Sequence, residues 1–74
     1  MRTNTNQYEA SHGKKPSGHG RWIFKMTGTD DKGRFTTYTG SASDTMTKAR
    51  VTVARQFKSE VGGISHIVEV TVLP

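Results

Sequence analysis

The residues best suited to chemistry lie between His12 and Trp22 and read His-Gly-Lys-Lys-Pro-Ser-Gly-His-Gly-Arg-Trp. Lys14, Lys15, His19 and Arg21 bring positive charge or the capacity for it. Gly13, Gly18 and Gly20 free the backbone, and Pro16 stiffens it once. Glycine lets peptide N–H groups approach an anion closely, and lysine supplies charge without fixed geometry. The combination suits a phosphate backbone, and it equally suits an ordinary basic tail. Lys25 and Arg34 either extend the positive surface or keep a strand soluble and block edge pairing. Lys48 and Arg55, one above the other on the exposed side of a helix, are candidates for further phosphate contacts. Trp22 has two readings. Its alternation with Phe24 and Met26 favours a core anchor, and the other reading is a ring that stacks on an unpaired base.

Catalysis and metal binding have weaker support. The chain has no cysteine, its serines lack a local nucleophile signature, and its carboxylates lie in a turn, at a helix cap or singly. His12, His19 and His66 are not spaced as ligands on one helix, and Glu9 with His12 and His19 makes a poor metal set. His66 reads as a partly buried strand histidine rather than a base. No Gly-Lys-Ser/Thr opens a helix, so the glycines do not form a nucleotide phosphate loop. The expectation is a protein without enzymatic activity, metal or cofactor.

The elements that position these residues follow from hydrophobic periodicity. From Arg21 to Thr27, Trp22, Phe24 and Met26 alternate with Arg21, Ile23, Lys25 and Thr27, as in a half-buried strand. Thr29 to Gly33 reads as a hairpin connection, and Arg34 to Thr39 as the returning strand, with Phe24 opposite Tyr38. Ser43 or Asp44 caps a helix that runs to about Val61 before Gly62-Gly63. Met46, Ala49, Val53, Ala54, Phe57 and Val61 form its apolar stripe. Arg50 interrupts that stripe, and must snorkel, pair with a carboxylate such as Glu69, or face a partner. Ile64 to Leu73 is a β-branched strand with His66, Val68, Val70 and Val72 on one face and Ile67, Glu69, Thr71 and Leu73 on the other.

The fold class is therefore α+β: a small β-β-α-β domain over residues 20–74, with a three-stranded, mainly antiparallel sheet and one helix on one face. Residues 1–19 are too polar to join the core and read as a flexible basic arm, with a possible short strand at 8–11. The opposite sheet face, carrying Ile23, Lys25, Ile67 and Leu73, stays open. Such a face suits a partner or a homodimer, and the small core gives the homodimer a second motive.

Eleven Lys and Arg against six Asp and Glu give a net charge of +5, which favours polyanions. No apolar run approaches the ~18 residues of a membrane span, and a soluble cytoplasmic protein without membrane partners is expected. The run from His12 to Pro16, with Gly18, Gly20, Trp22 and Phe24, resembles small proteins carried by plasmids, phages and integrative elements. The resemblance implies a mobile-element accessory protein and transfers no residue roles. The leading expectation is binding of DNA or RNA through the glycine/lysine arm and first strand. The alternative is a protein-binding module, such as an inhibitor of a host defence or replication complex, that uses the open face or an edge strand.

Overall fold

The computed structural model describes residues 2–74. Their order is β1 (Arg2–Asn4), α1 (Asn6–His12), β2 (His19–Asp30), β3 (Phe35–Thr45), α2 (Met46–Val61) and β4 (Ile64–Val72). The strands form one sheet in the order β1-β4-β2-β3, antiparallel except where β1 runs parallel to β4. The α+β class and the β-β-α-β unit stand. The expected three strands and one helix become four strands and two helices, because the first residues also fold. Arg2–Asn4 add an edge strand to β4, and the stretch expected as a strand at 8–11 lies instead within α1.

The α2 helix covers one face of the sheet. Phe24 and Met26 from β2, Ala49, Val53 and Phe57 from α2, and Val70 and Val72 from β4 are fully buried together, with Trp22 at 6% exposure. Two glycines let the helix sit this close. A Cβ on Gly28 would stand 3.0 Å from the His66 carbonyl oxygen, Ile64 and Phe57. A Cβ on Gly40 would stand 2.9 Å from Tyr38 and 3.1 Å from Val53. The Phe57 ring also stacks on Tyr38, with centroids 5.4 Å apart and planes 6° from parallel. The far end of the stripe is looser, since Val61 is 39% exposed.

The returning strand is longer than its composition suggests. It continues through Gly40-Ser41-Ala42-Ser43 to Thr45, and the helix cap is Thr45 rather than Ser43 or Asp44. Thr45 Oγ1 accepts from the Lys48 N–H at 3.4 Å. In the hairpin Tyr38 faces Met26 and Gly40 faces Phe24. That register is two residues from the expected pairing. An even shift preserves the faces, so Tyr38 still points to the core. Asp30 closes the turn: its carboxylate accepts from the Lys32 and Arg34 N–H groups at 2.9 Å each and from Arg34 Nε at 2.8 Å. Gly33 takes the left-handed φ of 77° that this turn needs.

In β4 the strict alternation fails. Thr27 pairs with Glu69 but Gly28 with Ile67, and Thr29 pairs with His66 but Asp30 with Ile64, so Val68 and Ser65 are extra residues in the strand. Each such bulge reverses the facing of what precedes it. Ile67 and Ile64 therefore pack against the core, and Val68 is left 40% exposed. Ile67 is thus absent from the open face on which periodicity placed it.

Two outcomes follow from this packing. Gly28→Ala forces a contact with backbone as well as rings, and thermal unfolding should show a loss of about 1–3 kcal/mol. Gly20→Ala, where nothing lies within 4 Å of the added carbon, is the matched control and should unfold close to the parent. At the turn, hydrogen bonds from the Arg34 N–H and guanidinium and the Lys32 N–H, against some desolvation, hold the Asp30 carboxyl below the usual carboxylate range. A lowered carboxylate value contributes stability that is present above the unfolded value of about 3.9 and lost as pH falls through the folded one. Melting temperature followed from pH 5 to pH 2 should therefore fall less steeply in Asp30→Asn than in the parent.

Candidate nucleic-acid interface

Alternation along β2 fixes where its functional side chains point. Trp22, Phe24 and Met26 face the helix, so His19, Arg21, Ile23, Lys25 and Thr27 share the open face. At a strand rise of about 3.3 Å per residue, neighbours in that row stand about 7 Å apart. Directly across on β3 lie Ser43 opposite Arg21, Ser41 opposite Ile23, Thr39 opposite Lys25 and Thr37 opposite Thr27. The open face of the hairpin is therefore a line of cations beside a line of hydroxyls. The Arg21 guanidinium donates to Ser41 Oγ at 3.3 Å and to no carboxylate. Among the described residues the one ion pair is Arg34 with Asp30, which leaves His19, Arg21 and Lys25 unneutralised. Glu69 on β4, opposite Thr27, ends the positive row on that side.

At its N-terminal end the row opens into a cleft of about 310 Å³. Lys14, Ser17, His19 and Arg21 line its polar side. Tyr8 and His12 from α1, with Ile23, Leu73 and Pro74 from the ends of the sheet, form its flatter walls. No Asp or Glu is among the lining residues. Local chemistry holds this shape. Gly13, at φ 72°, ends α1 and donates its N–H to the Glu9 carbonyl at 2.8 Å. The Gly18 carbonyl accepts from the Met46 N–H at 3.2 Å and from Trp22 Nε1 at 3.3 Å, which fastens the loop to the start of α2 and to the core. Tyr8 lies against Trp22, with centroids 5.4 Å apart, and stacks on His12 at 4.2 Å.

Arg50 extends this scaffold. It neither snorkels freely nor pairs with Glu69: its Nη1 donates to Thr3 Oγ1 at 2.9 Å, while its Nε is buried without a partner. The bond ties α2 to β1, the strand that leads directly into α1 and so into one wall of the cleft.

The candidate residues do not all come together. Lys14, His19 and Arg21 meet at the cleft and Lys25 continues their row, while Lys15 stands exposed in the loop. Lys48 and Arg55 line a shallow surface on the outer side of α2. The helix covers the opposite sheet face, so they point away from the row. Arg34 sits at the hairpin tip with its charge held by Asp30. Of the two readings of Trp22, the core anchor fits its burial at 6% exposure, and the same residue also contributes to the lining of the cleft. The aromatic that is free on the open face is Phe35, 72% exposed and opposite Thr29. Tyr8 and Pro74 were not singled out by sequence pattern as site residues. Only the folding of residues 2–12 and the return of β4 bring them beside β2.

Among the described residues no cluster of His, Asp and Glu is arranged to hold a metal, and no helix is long and apolar enough to cross a membrane. The fold and site define a small α+β protein with one sheet face covered by a helix and a basic cleft at the edge of the other. No protein-family model, curated protein or solved structure matches the chain.

If Arg50 positions β1, Thr3→Val should cost about 1–2 kcal/mol, as expected for a partly buried bond to a charged donor. Amide hydrogen exchange should then quicken at residues 2–4 well before it does in β2.

Proposed function

We propose that this chain is a small basic nucleic-acid-binding accessory protein that grips phosphates along the open face of β2, from Lys14 at the cleft to Lys25. The observation that supports this most strongly is the uncompensated pair of Arg21 and Lys25, in one row with His19 and continuous with a cleft lined by no carboxylate side chain. Cations without internal partners keep their charge for a polyanion, and phosphate contacts supply most of the affinity of such proteins. The neighbouring Ser and Thr hydroxyls of β3 add neutral donors at the same level. A sheet face of this kind fits a groove or tracks a single strand. The resemblance of the His12–Phe24 stretch to plasmid, phage and integrative-element proteins agrees with an accessory role on a mobile element.

The protein-binding reading has an observation of its own. β3 is an edge strand of eleven residues with one charged side chain, Asp44, and an exposed Phe35 at its end. Edges are usually protected by charge, proline or a covering element, and an edge this bare can pair with a strand of another protein. On this reading a stoichiometric partner stays bound after nuclease treatment.

Titration of labelled oligonucleotides at several salt concentrations tests the first reading. With Lys14, Arg21 and Lys25 each on a phosphate, log affinity should fall with log salt at a slope of roughly −2 to −3. Alanine at any one of the three should weaken binding and flatten that slope by about one unit. Lys48→Ala and Arg55→Ala, on the far side of the molecule, should leave both unchanged. A flat salt response would remove the phosphate-gripping mechanism.

A further inference from the structure

The cleft differs in kind from the row that leads to it. Along β2 the cations lie on a flat sheet, which contacts a phosphate backbone of any strandedness. The cleft is concave, and its lining brings Lys14, Ser17, His19 and Arg21 together with the Tyr8–His12 stack and the aliphatic side chains of Ile23 and Leu73. At about 310 Å³ it lies at the small end of the range for ligand pockets, which is about 300–1,000 Å³. A lone inorganic phosphate would leave the apolar walls unused, and a base held in a duplex would first have to unpair and unstack to enter.

We infer that the cleft is a binding site for one unpaired nucleotide, with its phosphate against Lys14, His19 and Arg21 and its base between the Tyr8–His12 stack and the Ile23–Leu73 surface. The inference deepens the nucleic-acid reading and rests on it: the row takes the backbone, and the cleft selects single strands or strand ends. Three features of the cleft favour this ligand. Lys14, His19 and Arg21 meet there with no Asp or Glu side chain in the lining to compete for them. The apolar side combines a ring pair with aliphatic groups, a surface that accepts the π-face of any base without reading its sequence. The loop that supplies Ser17 and His19 is fastened between them, since the Gly18 carbonyl accepts from both the Met46 N–H and the Trp22 indole, which lowers the ordering cost of binding.

The test uses the full chain labelled with ¹⁵N, titrated separately with dAMP, deoxyadenosine and inorganic phosphate. The single tryptophan gives one indole N–H resonance, whose acceptor is the Gly18 carbonyl at the cleft. The expected result is that dAMP moves this resonance and the amides of Lys14, His19, Arg21 and Leu73. It should bind about tenfold tighter than either phosphate or the nucleoside, the increment that one stacked base supplies. Leu73→Ser should lower dAMP affinity and leave that of phosphate unchanged, whereas Lys14→Ala should lower both. Equal affinity for dAMP and phosphate, or shifts confined to the β2–β3 face, would overturn the inference.

A twelve-nucleotide single strand and the corresponding duplex separate this failure from that of the broader reading. Salt-sensitive binding of both with equal affinity keeps the nucleic-acid function and removes the unpaired-nucleotide site. Binding of neither, with dAMP still seated at Leu73 and Lys14, removes the polymer reading and keeps a mononucleotide site. A preference of at least about tenfold for the single strand, lost in Leu73→Ser, supports both.

Discussion

The approach of α2 to the sheet at Gly28 and Gly40 is the contact on which the rest of the molecule depends. With no side chain at either point, Phe57 settles over Gly28 and stacks on Tyr38, while Val53 reaches Gly40. A chain of this length has little apolar surface to bury, and close packing makes the most of it. All of the fully buried side chains come from β2, α2 and β4. The helix draws most of the large apolar groups to one side of the sheet, so the other side carries mainly Arg, Lys, Thr and Ser, with Ile23, Leu73 and Phe35 as its apolar residues. The polar open face is a consequence of how the core is built.

A second constraint turns that face into a site. The Gly18 carbonyl, which accepts from the backbone of α2 and from the Trp22 ring, holds the glycine/lysine loop beside the start of β2. The Arg50–Thr3 bond does the same for β1 and so for α1. Both tethers run from the core outward. The buried residues thereby position groups that never enter the core, and the cleft forms where loop, short helix and strand ends converge. Electrostatics then gives it a sign. One ion pair among the described residues, at the hairpin tip, leaves Arg21 and Lys25 of β2 without a carboxylate partner.

The Tyr38–Glu60 pair shows how the same packing touches protonation. Burial against Phe57 pushes the Tyr38 phenol up, and its bond to Glu60 Oε2 at 3.1 Å adds to the shift. The neutral phenol is the favoured form. Its contribution to stability holds through neutral pH and fades only when alkali ionises it. Neither group faces the cleft, so this pair belongs to the scaffold.

How much of this was legible varied from element to element, and the reasons are physical. Period-two alternation identified β2 and its two faces, because a strand between a core and solvent must sort its side chains that way. Period-3.6 recurrence identified α2, and Gly62-Gly63 its end. Charge patterning identified Lys14, Lys15, His19 and Arg21 as a group, of which the fold brings Lys14, His19 and Arg21 together at the cleft. Local pattern carries no information about contacts between distant segments. The bulge at Val68, which turns Ile67 inward, and the one at Ser65 arise from how β4 meets β2. The burial of Trp22 comes from packing, and the separation of Lys48 and Arg55 from the row depends on which sheet face the helix covers. The polar composition of residues 2–12 gave no sign that they would fold, since what orders them is a strand pairing and an arginine about fifty residues away in the chain. The sequence by itself determined β2, α2 and the charge, because alternation, helical recurrence and composition are local. Only the tertiary structure decided which charges stand together and that a cleft exists, because each depends on surfaces that different segments bring into contact.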